Sequence, residues 1–282
     1  MAKKPTILIT GCSDGSIGHS LALEFVRQNY HVFASSRRLS TMKSLEKDPD
    51  ITLIELDVTS PSSIQAACER ISAATGGTLD ILYQNAGVRT ITLAMHCDYA
   101  LALKIFGTNI LGIVEITRVF MPLLMKAGPG SRIAFSSSLA GYMPIPTQSL
   151  YNASKAALHS YISTLELELK PFGIFVIDVA SGTVGTAMLT QNQMEILPED
   201  SPYKLIESDL NEAWVRIGGG IPVEAYTKHV VQKILQMNPP QRFFAGAGAT
   251  LGWAIDKLNA GWIYKAFFWK IFALGKLSQA QH

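Results

Sequence analysis

Tyr151 and Lys155 stand four residues apart in the stretch SLYNASKAAL, residues 149–158. The segment is rich in helix-forming residues, so this spacing brings both side chains to one helix face. A phenol beside an ammonium is suited to proton donation, because the positive charge stabilises the phenolate left behind. Of the nine tyrosines only this one has a lysine four residues on, although such pairs also arise on ordinary solvated helix faces. A second group lies far upstream. GCSDGSIG, residues 11–18, holds Gly11, Gly15 and Gly18, which let a backbone approach a pyrophosphate while a following helix offers unpaired N–H groups.

Groups so distant in sequence meet only if a fold gathers strand ends. PTILIT (5–10) is a β-branched run that leads through the glycines into SLALEFVRQN, which has helical spacing. HVFASSRR (31–38), ITLIELDVTS (51–60), TLDILYQNAG (78–87), SRIAFSSSLAG (131–141), GIFVIDVA (173–180) and QRFFAG (241–246) read as further strands. Helical stretches separate them, including a long one over 98–126 and one carrying Tyr151 and Lys155 to Lys170. The alternation predicts one α/β domain over residues 1–282, with a Rossmann-like, doubly wound parallel sheet of about seven strands and helices on both faces.

Ligands of such sheets bind outside the carboxyl ends of the strands. An acidic residue after the second strand would favour NAD; Ser36, Arg37 and Arg38 stand there instead, and arginine suits the 2′-phosphate of NADP(H). Asp57 either reaches an adenine amine or caps the helix that follows. Asn85, Ala86 and Gly87 permit close passage of a cofactor, or merely a turn. Asn109, polar amid FGTNILGIVEI, needs partners such as helix carbonyls or an ordered water.

Composition bounds the remaining possibilities. With 282 residues, 48% hydrophobic and 16% charged, the chain is apolar-leaning and long enough for a large core. Its 24 basic and 22 acidic residues leave a net charge of +2, which gives no electrostatic footprint for nucleic acid. Cys12, Cys68 and Cys97 show no paired spacing, so neither disulfides nor a metal site is expected, and a cytoplasmic location fits. The opening MAKKPTILITG has an apolar stretch too short for a signal peptide or a membrane span.

Residues 187–221 interrupt the alternation with a mixed, polar excursion, expected to be a substrate lid. In the tail, residues 250–282, Trp253, Trp262, Tyr264, Phe267, Phe268, Trp269 and Phe272 are interrupted by Lys257, Lys265, Lys270 and Lys276. A spanning helix is not expected there. The tail packs over the substrate pocket or a subunit interface, or lies on a membrane surface as an amphipathic helix. A lid of this kind suits a bulky apolar substrate.

The glycine turn, the Asn85–Ala86–Gly87 stretch, and a strand-end serine followed by Tyr151 and Lys155 resemble, over roughly residues 5–246, the short-chain dehydrogenase/reductase family. By that resemblance Tyr151 is the general acid, Ser138, thirteen residues earlier, orients a carbonyl oxygen, and Lys155 holds the nicotinamide ribose. Asn109 would position the water of a proton relay. Ser13, Ile17 and Val58 would join Gly11, Gly15, Gly18, Arg37, Arg38, Asp57 and residues 85–87 around the cofactor. Gly182, Val184 and Thr186 of SGTVGT would face the nicotinamide carboxamide. The chain departs from the common pattern in a turn one residue longer, with Ser16 in place of glycine, in Gln84 before Asn85, and in Ser181 for proline.

TGCSDGSIGH, RFFAGAGA and the aromatic tail are similar to fungal reductases related to 1-acyldihydroxyacetone-phosphate reductase. The resemblance implies NADPH-dependent reduction of a ketone or aldehyde on a bulky apolar substrate, lipid-like or a fungal specialised metabolite, or the reverse oxidation, in a homo-oligomer. A non-redox isomerisation or cyclisation is the competing activity, with Tyr151 still moving a proton. The complete Ser138, Tyr151 and Lys155 set argues against a mere cofactor-sensing protein.

Overall fold

The computed structural model describes residues 4–186, 196–258 and 260–279. Its strands are β1 (Thr6–Thr10), β2 (His31–Ser36), β3 (Ile51–Glu55), β4 (Ile81–Gln84), β5 (Arg132–Ser138), β6 (Phe175–Ser181), β7 (Val184–Gly185), β8 (Ile221–Pro222) and β9 (Arg242–Ala245). Seven of them form one parallel sheet in the order β3-β2-β1-β4-β5-β6-β9, while β7 and β8 make a separate short pair. The order turns back on either side of β1, so the carboxyl ends of β1 and β4 open a crevice.

The helices are α1 (Ile17–Arg27), α2 (Pro61–Thr75), α3 (Tyr99–Phe106), α4 (Gly112–Ala127), α5 (Ser149–Leu169), α6 (Glu207–Ile217), α7 (Val223–Ile234), α8 (Ala249–Lys257), α9 (Gly261–Ile271) and α10 (Gly275–Gln279). Because strand side chains alternate, Leu8, Leu82, Ile133 and Phe135 pack with α2, α4 and α5. Ile7, Ile9, Ile81 and Tyr83 pack on the other face with α1 and α7. The β-branched and leucine-rich strands are thus buried on both faces, as the two-sided cover requires. Ser16 caps α1 by accepting from the His19 N–H at 3.1 Å, and Ser60 caps α2 from Ser63 at 3.3 Å.

Two departures from the sequence expectation have physical causes. The helix expected over 98–126 is divided by a π turn, Gly107–Leu111, with the fully buried Asn109 inside it. Just beyond, Gly112 passes so close to Val58 that a Cβ there would lie 2.3 Å from the Val58 oxygen. The fourth strand ends at Gln84 because Asn85 and Ala86 leave the ladder to donate their N–H groups to Thr10 Oγ1, both at 2.9 Å. Of the excursion expected over 187–221, residues 187–195 lie outside the described residues. The remainder contains α6 and ends in β8, which ties it to β7.

Candidate active site

The first βα turn is built on close contact. Gly11 has φ of +76°, and a Cβ on it would meet Ala86 Cα at 2.9 Å; a Cβ on Gly18 would lie 2.3 Å from the Gly11 oxygen. Ser16, the departure from the family pattern, also donates its hydroxyl to the Gly11 carbonyl at 3.1 Å, so it pins the lengthened turn. Asn85 brackets the same turn: Nδ2 donates to the Thr10 and Gly11 oxygens at 2.9 and 3.2 Å, and Oδ1 accepts from Ser136 at 3.1 Å. The hydroxyls of Ser13, Ser36 and Thr41 lie 2.8 to 3.2 Å apart and hold the end of β2 against the turn.

Arg37 lines the cleft beside Asp57. Burial pushes the Asp57 carboxyl up, but bonds from the Thr59 hydroxyl and N–H, together with the Arg37 charge, outweigh it and hold the group below its ordinary value. Asp57 therefore stabilises its own turn, and the α2 cap belongs to Ser60.

The side chains expected to move the proton converge from β5 and α5. Lys155 is only 5% exposed; its Nζ donates to the Ser136 carbonyl at 2.8 Å and lies 5.7 Å from the Tyr151 ring centroid. Ser138 Oγ accepts from the Ala140 N–H at 3.1 Å and lies 3.5 Å from the Ser181 carbonyl. Burial pushes the phenols of Tyr30, Tyr83, Tyr161 and Tyr226 up, that of Tyr226 to about 12, and none of these four lines the cleft. The Asn109 amide is committed within the chain. Its Oδ1 accepts from the Val88 N–H at 2.9 Å, and Nδ2 donates to Val88 O and Ser154 Oγ, each at 3.0 Å.

Beneath these groups lies a network that reading the sequence for catalytic motifs did not single out. His159 Nδ1 is 2.8 Å from Asp178 Oδ2, and Nε2 is 2.9 Å from the Ser138 carbonyl. Both partners are acceptors, so the ring is held between the carboxylate and the end of β5. Ser137 donates to the other Asp178 oxygen, and Arg242 Nε donates to Oδ2 at 2.6 Å. Asp178 is 1% exposed. Burial pushes its carboxyl up, but His159, Ser137 and Arg242 together hold it below its ordinary value. The available signal was helical spacing, since His159 follows Lys155 by the same four residues that separate Lys155 from Tyr151.

One cavity of about 1510 Å³ runs past all of this. Gly11, Ser13, Ile17, Arg37, Asp57, Val58 and residues 85–87 line it toward the glycine turn, and Ser138, Tyr151, Lys155, Gly182, Val184 and Thr186 line it farther on. Gly15, Gly18, Arg38 and Asn109 are not on its wall; Arg38 is exposed at the cap of the turn Leu39–Leu45. The far end is apolar. Tyr264, Phe268 and Phe272 of the tail pack inward against Ile91, Leu93 and Leu210, while Trp262 and Trp269 are exposed. Among the described residues no helix is long and apolar enough to cross a membrane.

The short chain dehydrogenase family model matches residues 5–196. A short-chain dehydrogenase of Penicillium crustosum is 41% identical over 208 residues, covering 74% of this chain and 75% of that protein. The NADPH-dependent 1-acyldihydroxyacetone phosphate reductase of Saccharomyces cerevisiae is 31% identical over 285 residues, covering 98% and 94%. A solved short-chain dehydrogenase from Streptomyces avermitilis superposes with a TM-score of 0.79 at 23% identity, covering 98% of this chain and 99% of that one. With its doubly wound sheet and nicotinamide-type cleft, this chain belongs to the short-chain dehydrogenase/reductase family of oxidoreductases.

Proposed function

We propose that this protein reduces a ketone or aldehyde on a bulky apolar substrate with NADPH, or oxidises the corresponding alcohol. The observation that carries the reading is that Ser138, Tyr151 and Lys155 share one cavity with the glycine turn and Arg37. The residues present fit NADP(H). The tight turn at Gly11 and the amino end of α1 suit its pyrophosphate, and Arg37 suits its 2′-phosphate. The cofactor, when bound, supplies the hydride.

The chain's own part is proton management and placement. Tyr151 donates its hydroxyl proton to the carbonyl oxygen, which the Ser138 hydroxyl holds by a second hydrogen bond. The Lys155 ammonium, fixed on the Ser136 carbonyl, stabilises the phenolate as it forms, and its remaining N–H donors would hold the nicotinamide ribose. Asn109 acts through Val88 and Ser154 as a positioning residue, since both of its amide protons are already used.

Incubation of the protein and NADPH with apolar ketones of graded size tests the reading by nicotinamide fluorescence. Oxidation of NADPH with the bulkier ketones is the expected result. Product formed without nicotinamide turnover would overturn it in favour of isomerisation or cyclisation. Arg37→Ala is expected to lower the preference for NADPH over NADH by about 10- to 100-fold in kcat/KM, because a charge-assisted phosphate contact is lost.

We propose further that the chain self-associates through α4 and α5. Leu111 and Val114 near the start of α4 and Leu167 near the end of α5 are exposed, and such faces are covered in oligomers. A sedimentation coefficient of a monomer at micromolar concentration would refute this. The free cysteines Cys12, Cys68 and Cys97 agree with cytoplasmic residence.

A further inference from the structure

Arg89 follows the Asn85–Ala86–Gly87 stretch by two residues and lines the same cavity as Tyr151 and Ser138. Its Nε and Nη2 are buried and have no hydrogen-bond partner among the described residues. The guanidinium lies over the Trp214 ring of α6, 5.5 Å from the centroid, which fixes the plane of the fork without using its donors. Burial depresses the guanidinium below its ordinary value, and the interaction with Tyr151, which acts the other way, only partly counters this.

A second unused donor lies close by in the fold. Trp214 Nε1 donates to Thr147 Oγ1 at 2.9 Å, and the next residue, Gln148, is 3% exposed with Nε2 buried and without a partner among the described residues. Gln148 stands at the N-cap of α5 yet makes no capping bond with its side chain, and it too lines the cavity. The Thr92 N–H, bonded to the Thr147 carbonyl at 2.8 Å, holds the two segments side by side. The cavity's carboxylates among the described residues, Asp14 and Asp57, belong to the opposite, glycine-turn end. The cavity wall also carries Met143, Ile145, Val215 and Ile217, with Asn211 beside them on α6.

Resting on the reading of this cavity as the reductase site, we infer that Arg89 and Gln148 form an oxyanion subsite for the substrate. The substrate is then an apolar carbonyl compound carrying a carboxylate or phosphate group. The fork of Arg89 takes two of its oxygens, Gln148 donates to it, and the carbonyl lies toward Tyr151. A buried guanidinium with unpaired donors gains a charge-assisted bidentate partner only when such a substrate enters.

The test uses three probes on the NADPH-loaded enzyme: a medium-chain 4-oxo acid, its methyl ester, and the matching 4-oxoalkyl phosphate. At least one anionic probe is expected to exceed the ester in kcat/KM by about 30-fold or more, and which one does so identifies carboxylate or phosphate as the preferred group. Arg89→Met is expected to bring that ratio close to one, and Gln148→Leu to lower it by about three- to tenfold. NADPH affinity and thermal melting report on folding, and Arg89→Lys, which keeps charge without the fork, is expected to recover part of the ratio.

Equal turnover of acid, phosphate and ester, unaffected by Arg89→Met, would overturn the subsite. So would a loss of NADPH affinity in Arg89→Met as large as the loss for the anionic probe, because Arg89 would then serve the cofactor. Calorimetric titration of the probes separates the two readings. Tight, Arg89-dependent binding of an anion without NADPH oxidation keeps the subsite and removes the reductase reading, whereas NADPH oxidation with the ester alone does the reverse.

Discussion

Replacing Tyr151 with phenylalanine is expected to slow carbonyl reduction by about 100- to 10,000-fold, the range that loss of a positioned general acid produces. The ring should remain in place, since the aromatic face toward Lys155 is kept and the Tyr151 hydroxyl has no hydrogen bond within the described residues to lose. Lys155 keeps its bond to the Ser136 carbonyl, so NADPH affinity should change little. Stopped-flow absorbance of the hydride-transfer phase, beside NADPH fluorescence titration, measures the two quantities separately. Residual reduction within a few-fold of the unmodified protein would remove Tyr151 from the proposed role.

The second large effect is on stability. Asp178→Asn leaves the partly exposed Arg242 charge and His159 facing a neutral amide at a position 1% exposed, and losing hydrogen bonds to a charged group costs about 1.5–3 kcal/mol. Urea denaturation followed by fluorescence reads this directly. The sign of the pH dependence follows from the lowered Asp178 carboxyl, which makes the folded state bind its proton less readily than the unfolded chain. The contribution is therefore complete above the unfolded carboxylate value of about 4 and is lost as pH falls through the depressed folded value. The gap between the native protein and Asp178→Asn should stay constant near neutrality and narrow in acid. A gap that widened in acid would contradict the arrangement.

Much of the fold was legible because its signals are local. Runs such as TILIT and ILYQ pack both faces at once, and the intervening helices declare their spacing, so the seven-stranded sheet follows from the pattern. Tyr151 and Lys155 were legible for the same reason, as two residues on one helix face. The π turn at Gly107–Leu111 was not, because its cause is the long-range pairing of Asn109 with Val88. Asp178 looked like one more residue of an apolar strand. Its meaning depends on Arg242, which reaches it from β9, and on His159 from α5. Arg89 and Gln148 are ordinary polar residues in sequence, and what sets them apart is that buried donors of both have no hydrogen-bond partner among the described residues.

Helix α5 touches the end of β5 at two alternate carbonyls: Lys155 bonds the oxygen of Ser136, and His159 bonds that of Ser138. Helix and strand are thereby clamped directly, and the segment from Leu139 to Gln148 runs between them on its own anchors, Ile145 to Asn152 and Thr147 to Thr92 and Trp214. The interval between the serine and the tyrosine in the sequence is thus not the ruler that sets their separation in space. That segment carries Met143, Ile145 and Gln148 to the wall of the cavity. The clamp that places Tyr151 is thus separate from the side chains that this segment turns toward the cavity.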